Sequence, residues 1–199
     1  MIERKVRLPV PLYDLFTSHR WRNSMSKVLV VVYSHTGTCR RLSEQLCSQF
    51  DWQLAEIVEE RPRRGILGIW RCVLDSLLQR RPAIRYDGPF PRNFDAVVLV
   101  SPIWLGRLAG PMRSFVTRRR DHLPDVAVIS VAGGTGEFGA AAEIADLVGQ
   151  APLISTTFTA REIDDGRSAG RLQFFGAALN GAEAAHVAAQ RAVHLPKVA

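Results

Sequence analysis

The chain reads as an α/β domain: five parallel strands in one doubly wound sheet, with helices on both faces. Three observations predict it. First, apolar and β-branched runs at 27–33, 94–100 and 126–131 have the length of buried strands. Second, each ends abruptly in a loop of small residues: Ser34-His35-Thr36-Gly37, Ser101-Pro102-Ile103-Trp104-Leu105-Gly106 and Ala132-Gly133-Gly134-Thr135-Gly136. Third, helix-like periodicity follows each loop. That alternation is the signature of crossover units and a parallel sheet.

The elements follow in order. The first strand, 27–33, gives way to a helix at 38–50, where Leu42, Leu46 and Phe50 recur every four residues. A second strand spans 52–58. A crossover helix is expected over 65–78, with Ile66, Ile69, Trp70, Val73, Leu74, Leu77 and Leu78 on its inward face. The third strand is 94–100. A helix over 111–120 turns Met112, Phe115 and Val116 inward. The fourth strand, 126–131, precedes an alanine-rich helix at 137–149. The fifth strand is 152–159, and a helix over 169–193 ends the chain, with a break expected near Gly176 or Gly181. Residues 1–26, rich in Arg and Pro and without a period, are expected to be a loose arm, a strap over the domain, or a misassigned start, since Met25 stands two residues before the first strand. The domain proper is 27–199.

The first loop is the most informative stretch. A strand, a tight turn and a helix N-terminus aim backbone N–H groups and the positive helix end at one point. Ser34, Thr36 and Thr38 add hydroxyl donors there. The site suits a phosphate and is built from neutral donors, without a P-loop lysine.

Here the chain resembles the flavodoxin family, whose members hold the phosphate of FMN on a Ser/Thr-x-Thr-Gly-x-Thr loop. Ser34-His35-Thr36-Gly37-Thr38-Cys39 fits that pattern except at its last place, where Cys39 stands for threonine. A thiol is a weak donor. The second and third loops match the two that bracket the flavin ring in that family. The resemblance covers about 27–160 and the last helix. It implies a flavodoxin-like fold with strand order 2-1-3-4-5 and FMN as a non-covalent cofactor. It places Ser34, Thr36, Gly37, Thr38 and Cys39 on the phosphate, with His35 beside it. It sets Pro102, Ile103, Trp104, Leu105 and Gly106 along one side of the ring, and Gly133, Gly134, Thr135 and Gly136 along the other. Trp104 is either a stacking partner of the ring or a rim aromatic. Gly106 is either a turn glycine or a peptide free to flip beside the ring. Flavodoxins often cover the outer ring face with a tyrosine from the third loop. This chain has only Phe138 there.

Two other readings compete. Gly134-Thr135-Gly136-Glu137-Phe138-Gly139 is literally a dinucleotide fingerprint, with Glu162 placed for a ribose. It comes too late in the chain, since that fingerprint normally opens its sheet. A membrane-surface role for the helix flanked by Arg61, Arg63, Arg64, Arg80 and Arg81 is weaker than a solvated crossover helix.

Bulk properties narrow the class. A length of 199 residues suits one domain, and 47% hydrophobic with 23% charged is ordinary for a globular chain. No apolar run reaches a membrane span, and the N-terminus lacks the apolar core of a secretory signal. Cys39, Cys47 and Cys72 have neither disulfide nor metal spacing, which fits a reducing cytoplasm. No catalytic triad or paired carboxylates can be argued from spacing. The net charge of +7 departs from the acidic habit of electron-shuttling flavodoxins; no nucleic-acid specificity is read from it. The function expected is electron transfer through flavin. The partner is either a redox protein or, for an NAD(P)H-dependent reductase, a small quinone or nicotinamide. A binding protein that has lost FMN is a third reading. Oligomeric state is not legible.

Overall fold

The apolar run VLVVV forms the central strand because every one of its side chains finds a packed layer on one face or the other. In the computed structural model, which describes residues 27–60, 73–133 and 139–193 (side chains to 182), this strand is β1 (Val28–Val32), wholly buried. It is flanked in parallel by β2 (Gln53–Glu59) and β4 (Ala96–Trp104). β6 (Asp125–Ala132) pairs with β4, and β7 (Ile154–Thr159) with β6, again in parallel. These five parallel strands stand in the order 2-1-3-4-5 when counted among themselves. Two antiparallel pieces extend the sheet: β3 (Ile84–Tyr86) borders β2, and β5 (Arg107–Leu108) folds back on the end of β4.

Alternation along the strands sorts the core into two layers. Val28, Val30, Val32, Val98 and Val100 face α1 (Thr38–Phe50) and α5 (Ala169–Val193), meeting Leu42, Leu46, Leu172 and Phe175. Leu29, Val31, Val97 and Leu99 face α2 (Gly110–Arg119) and α3 (Gly139–Val148), meeting Met112, Phe115, Val116 and Ile144. Each such buried aliphatic contributes about 1.5–3 kcal/mol. A short helix, α4 (Ala160–Asp164), joins β7 to α5.

The structure departs from the expected elements in four places. β4 does not stop at Val100 but runs to Trp104, so Ser101, Pro102, Ile103 and Trp104 are strand rather than loop. Ser101, Pro102 and Ile103 continue the ladder with Ser130, Val131 and Ala132 of β6. Val100 is already opposite Val32, the last residue of β1. Proline is tolerated beyond that point, where β4 has lost a neighbour. Next, only 73–77 of the crossover helix is described, and its burial is reversed: Asp75 and Ser76 are buried while Leu74, Leu77 and Leu78 are exposed. Main-chain and carboxylate oxygens of Asp75 are tied to Arg80 and Arg113, which turns that polar face inward. Third, β3 was not anticipated; three residues are too few to show a period. Fourth, α5 runs unbroken through Gly176 and Gly181. Gly176 lies against the Phe50 ring, where a Cβ would meet it at 2.2 Å. The expected 1–26 arm and residues 65–72 of the crossover helix lie outside the described residues.

A buried ion pair ties the α2–α3 layer to the end of the sheet. Arg113 of α2, 2% exposed, donates to the carboxylate of Glu143 on α3, which is 14% exposed. It also donates to the carbonyls of Leu108 (2.8 Å), Arg80 (3.2 Å) and Asp75 (3.4 Å). Glu143 in turn accepts the Leu108 N–H at 3.2 Å. Removing one partner strands the other's charge. Arg113→Leu is expected to cost about 3–5 kcal/mol. Adding Glu143→Leu should recover most of it, since the lost charge then leaves no uncompensated partner. Urea denaturation of the two variants checks both statements.

α4 opens with a reciprocal cap. Glu162 N–H donates to Thr159 Oγ1 (3.2 Å), and Glu162 Oε2 accepts the Thr159 N–H (2.8 Å) and hydroxyl (2.9 Å). These bonds, the backbone one first, hold the Glu162 carboxyl below the usual carboxylate range, and Arg171 adds to the effect. A lowered native value means the cap's stabilisation is present above about pH 4.3, the ordinary glutamate value, and is lost as pH falls through the native one. A carbon-13 titration of the Glu162 carboxyl should therefore give a midpoint below that value, and Thr159→Ala should raise it.

Candidate flavin site

β1 ends with Tyr33 donating its N–H to the Val100 carbonyl at 3.0 Å. The chain then leaves the sheet at Ser34 and reaches α1 through Gly37, whose φ of 89° is left-handed and suited to glycine. The helix start carries no acidic side chain in its first turn. Ser34 Oγ accepts the Arg40 N–H at 3.3 Å, which anchors the loop to the helix it precedes. Thr36 Oγ1 and Thr38 Oγ1 stand 3.3 Å apart on the open side. Thr36 is exposed, and Ser34, His35, Gly37 and Thr38 are half-buried. Hydroxyls and the first-turn amides thus gather at one corner, the start of α1.

The flanking cations are engaged elsewhere. Arg40 pairs with Glu44 (2.9 Å) and Glu56 (3.3 Å), and Arg41 pairs with Asp164. The corner keeps its neutral character, as the sequence suggested. Cys39 departs from its expected use. It is 3% exposed and belongs to the core beneath α1, among Leu42, Val100 and Phe158. Burial pushes its thiol up to about 12, so it stays neutral and faces apolar neighbours. What Cys39 offers the loop is its backbone.

Trp104 stands at the overhanging end of β4, partly buried against the core. Its ring meets that of His35 edge-on, with centroids 6.3 Å apart and planes at 75°. This contact brings the first and second loops together. The indole Nε1–H is buried and has no hydrogen-bond partner among the described residues. An orphaned donor of this kind calls for a ligand or water.

Beyond Trp104 the chain reverses in two residues. Leu105 (φ 50°) and Gly106 (φ 73°) are both left-handed, as a tight hairpin turn requires. Glycine accepts this freely, whereas leucine does so at a cost of roughly 1–2 kcal/mol. Leu105 is also 71% exposed, an apolar side chain held out at the rim. Since one edge of Ile103 is taken by Ala132, the Leu108 pairing puts β5 on the edge toward β1. The hairpin therefore sits above the end of β1. Sequence reasoning missed it, because Leu-Gly is not a strong turn signal and β5 has only two residues.

The third loop begins at exposed Gly133. Gly134, Thr135, Gly136 and Phe138 lie outside the described residues. Its far end, Gly139, packs so closely on the hairpin that an added Cβ would stand 2.7 Å from the Gly106 carbonyl oxygen. The start of α3, where the third loop ends, is thus in direct contact with the hairpin. Glu162, the candidate ribose ligand of the dinucleotide reading, is committed to the Thr159 cap and to Arg171 (2.9 Å). No group of His, Cys, Asp and Glu among the described residues could hold a metal ion. No described helix is long and apolar enough to cross a membrane.

The arrangement has known counterparts. No family model matches the chain, and no curated protein matches it in sequence. Solved structures do. A flavoprotein from Lactobacillus acidophilus NCFM, determined in complex with FMN, superposes with a TM-score of 0.60 at 20% identity, over 70% of this chain and 97% of its own. Its apo form, determined by NMR, gives 0.52 at 20% identity, over 70% and 95%. A protein from Bacteroides eggerthii DSM 20697 described as a flavoprotein gives 0.60 at 20% identity, over 70% and 94%. With the strand order 2-1-3-4-5 and the ligand-binding edge that such an order creates, the chain has a flavodoxin-like α/β fold.

Proposed function

We propose that this chain is an FMN-binding redox protein that passes electrons through a non-covalently held flavin. The observation that carries the reading is the convergence of the three loops: His35 touches Trp104, and Gly139 touches Gly106, at the carboxyl edge of the parallel strands. The residues fit the group. A corner of hydroxyls and helix amides, closed by left-handed Gly37, suits a phosphate, and an indole with an unsatisfied N–H lies beside it.

Ser34, Thr36 and Thr38 donate hydroxyl hydrogens to the phosphate, and the amides of Gly37, Thr38 and Cys39 add backbone donors. The positive end of α1 favours the dianion without a cationic side chain. Trp104 covers one side of the ring and excludes water from it. Ile103 and Pro102 hold Trp104 at that height through the β6 ladder. Gly106 itself has no Cβ, so its peptide is able to present either its N–H or its C=O. FMN supplies the redox chemistry when bound, and the protein sets its access and environment. The exposed apolar Leu105 at the rim suits a protein surface pressing on the site, which favours a partner protein over a buried small substrate. With a net charge of +7, that partner is acidic.

Absorption spectra of the purified chain mixed with FMN test the reading. Saturable binding with a perturbed flavin spectrum is expected; its absence at saturating FMN overturns the proposal. Gly37→Val should weaken FMN at least tenfold, roughly 1.4 kcal/mol, because a β-branched residue resists positive φ. Gly139→Ala should weaken it too, by displacing the Gly106 peptide. Cys39→Ala should leave it within about threefold, less than roughly 0.7 kcal/mol, because the thiol faces the core. Anaerobic NADPH and NADH then separate the two classes. Flavin that stays oxidised with both nucleotides marks an electron carrier; immediate bleaching marks a reductase.

A further inference from the structure

A cavity lies beside the edge strand β3, and no described residue of the three loops lines it. Its volume is about 380 Å³, within the size range of small-molecule sites. It is formed where α2 ends, where β3 leads toward β4, and where the chain turns before β6. Tyr86 and Phe90 supply its aromatic surface, Arg85, Arg118 and Arg119 supply its charge, and His122 lies among them. No Asp or Glu is among the residues that line it.

Arg118 and Arg119 are held in place by groups that leave their charge unneutralised. Arg119 lies over three rings: Tyr86 at 4.8 Å, Phe90 at 5.1 Å and Phe115 at 5.6 Å from guanidinium carbon to centroid. It forms no ion pair among the described residues. Arg118 donates to the Ile84 carbonyl at 3.4 Å, which directs it without neutralising it. Tyr86 donates its hydroxyl to the Pro89 carbonyl (2.8 Å), fixing the ring under Arg119. His122 meets the Phe90 ring at 5.7 Å, and Arg92 caps the same ring at 4.9 Å. Asp87, at the rim, is paired with Arg85 at 2.9 Å. A guanidinium stacked on rings keeps its in-plane N–H donors free for phosphate or carboxylate. Phe90 is 42% exposed, a large aromatic standing at the mouth.

We propose that this pocket binds a small aromatic anion: a flat apolar body that lies against the exposed part of Phe90 and carries a phosphate or carboxylate to Arg118, Arg119 and His122. Nucleoside monophosphates have this chemistry. The cavity flanks β3, the strand at the far end of the sheet order from β7, and none of its lining residues belongs to the three loops.

The test is a nitrogen-15 NMR titration of the full chain with AMP, with inorganic phosphate and with a single-stranded oligonucleotide. AMP is expected to bind saturably and to shift the amides of Tyr86, Phe90, Arg119 and His122, at least tenfold more tightly than phosphate. Arg118→Gln with Arg119→Gln should weaken AMP at least tenfold. Phe90→Ala, an exposed position where folding is not at stake, should weaken AMP about threefold or more and leave phosphate unchanged. AMP shifts confined to residues 34–38 would place the nucleotide at the flavin corner and overturn the proposal. So would unsaturable binding, equal binding of AMP and phosphate, or an oligonucleotide bound more than tenfold more tightly than AMP, which would make the face a nucleic-acid surface.

Discussion

The Arg113–Glu143 pair governs how the carboxyl edge of this sheet is built. A sheet edge is a set of loose ends, and only contacts between successive crossovers can give it a shape. Arg113 gathers four segments around one guanidinium: α2, α3, the β5 residue Leu108, and the turn at 75–80. Glu143 closes the bracket by accepting the Leu108 N–H. Each nitrogen of Arg113 and each carboxylate oxygen of Glu143 has a partner, which is the condition under which a buried ion pair is tolerated. Once Leu108 is pinned, the hairpin that carries Trp104, Leu105 and Gly106 has one position. Once Glu143 is pinned, so does the helix that follows the third loop.

The overhang of β4 is the second constraint. β1 ends opposite Val100, while β4 and β6 continue together for several residues. That mismatch leaves a step in the sheet. The loop after β1 fills its floor, and Trp104 stands at its upper end. Leu105 is held at positive φ by a two-residue turn that glycine alone would adopt at no cost. Backbone strain of this kind persists only where the surroundings over-determine it, and here the Arg113 bracket does so. Its product is an apolar side chain displayed beside the indole.

Two basic regions of the fold have opposite electrostatic designs. Next to the first loop, the arginines are neutralised by Glu44, Glu56 and Asp164, and anion affinity rests on hydroxyls, amides and a helix end. Beside β3, Arg118 is oriented by a carbonyl and Arg119 by aromatic rings, which leave the charge available.

The sequence by itself determined the layer structure, the five parallel strands and the neutral loop at 34–38, because these rest on local pattern: runs of β-branched residues, a four-residue helical repeat, and a glycine between hydroxyl residues. It also marked Trp104 and Gly106 by their place after a strand. Tertiary structure decided the rest. Whether Ser101 to Trp104 is loop or strand depended on β6 lying alongside, and no local signal records a neighbour. The direction of the Cys39 side chain depended on the packing of α1 against the sheet. The contact of Gly139 with Gly106 and the grip of Arg113 on Leu108 join residues about thirty positions apart or brought in from separate elements, linked only once the crossovers have closed. The basic pocket was invisible for the same reason. Its cations and rings come from β3, the approach to β4 and the end of α2, and their chemistry exists only in their juxtaposition.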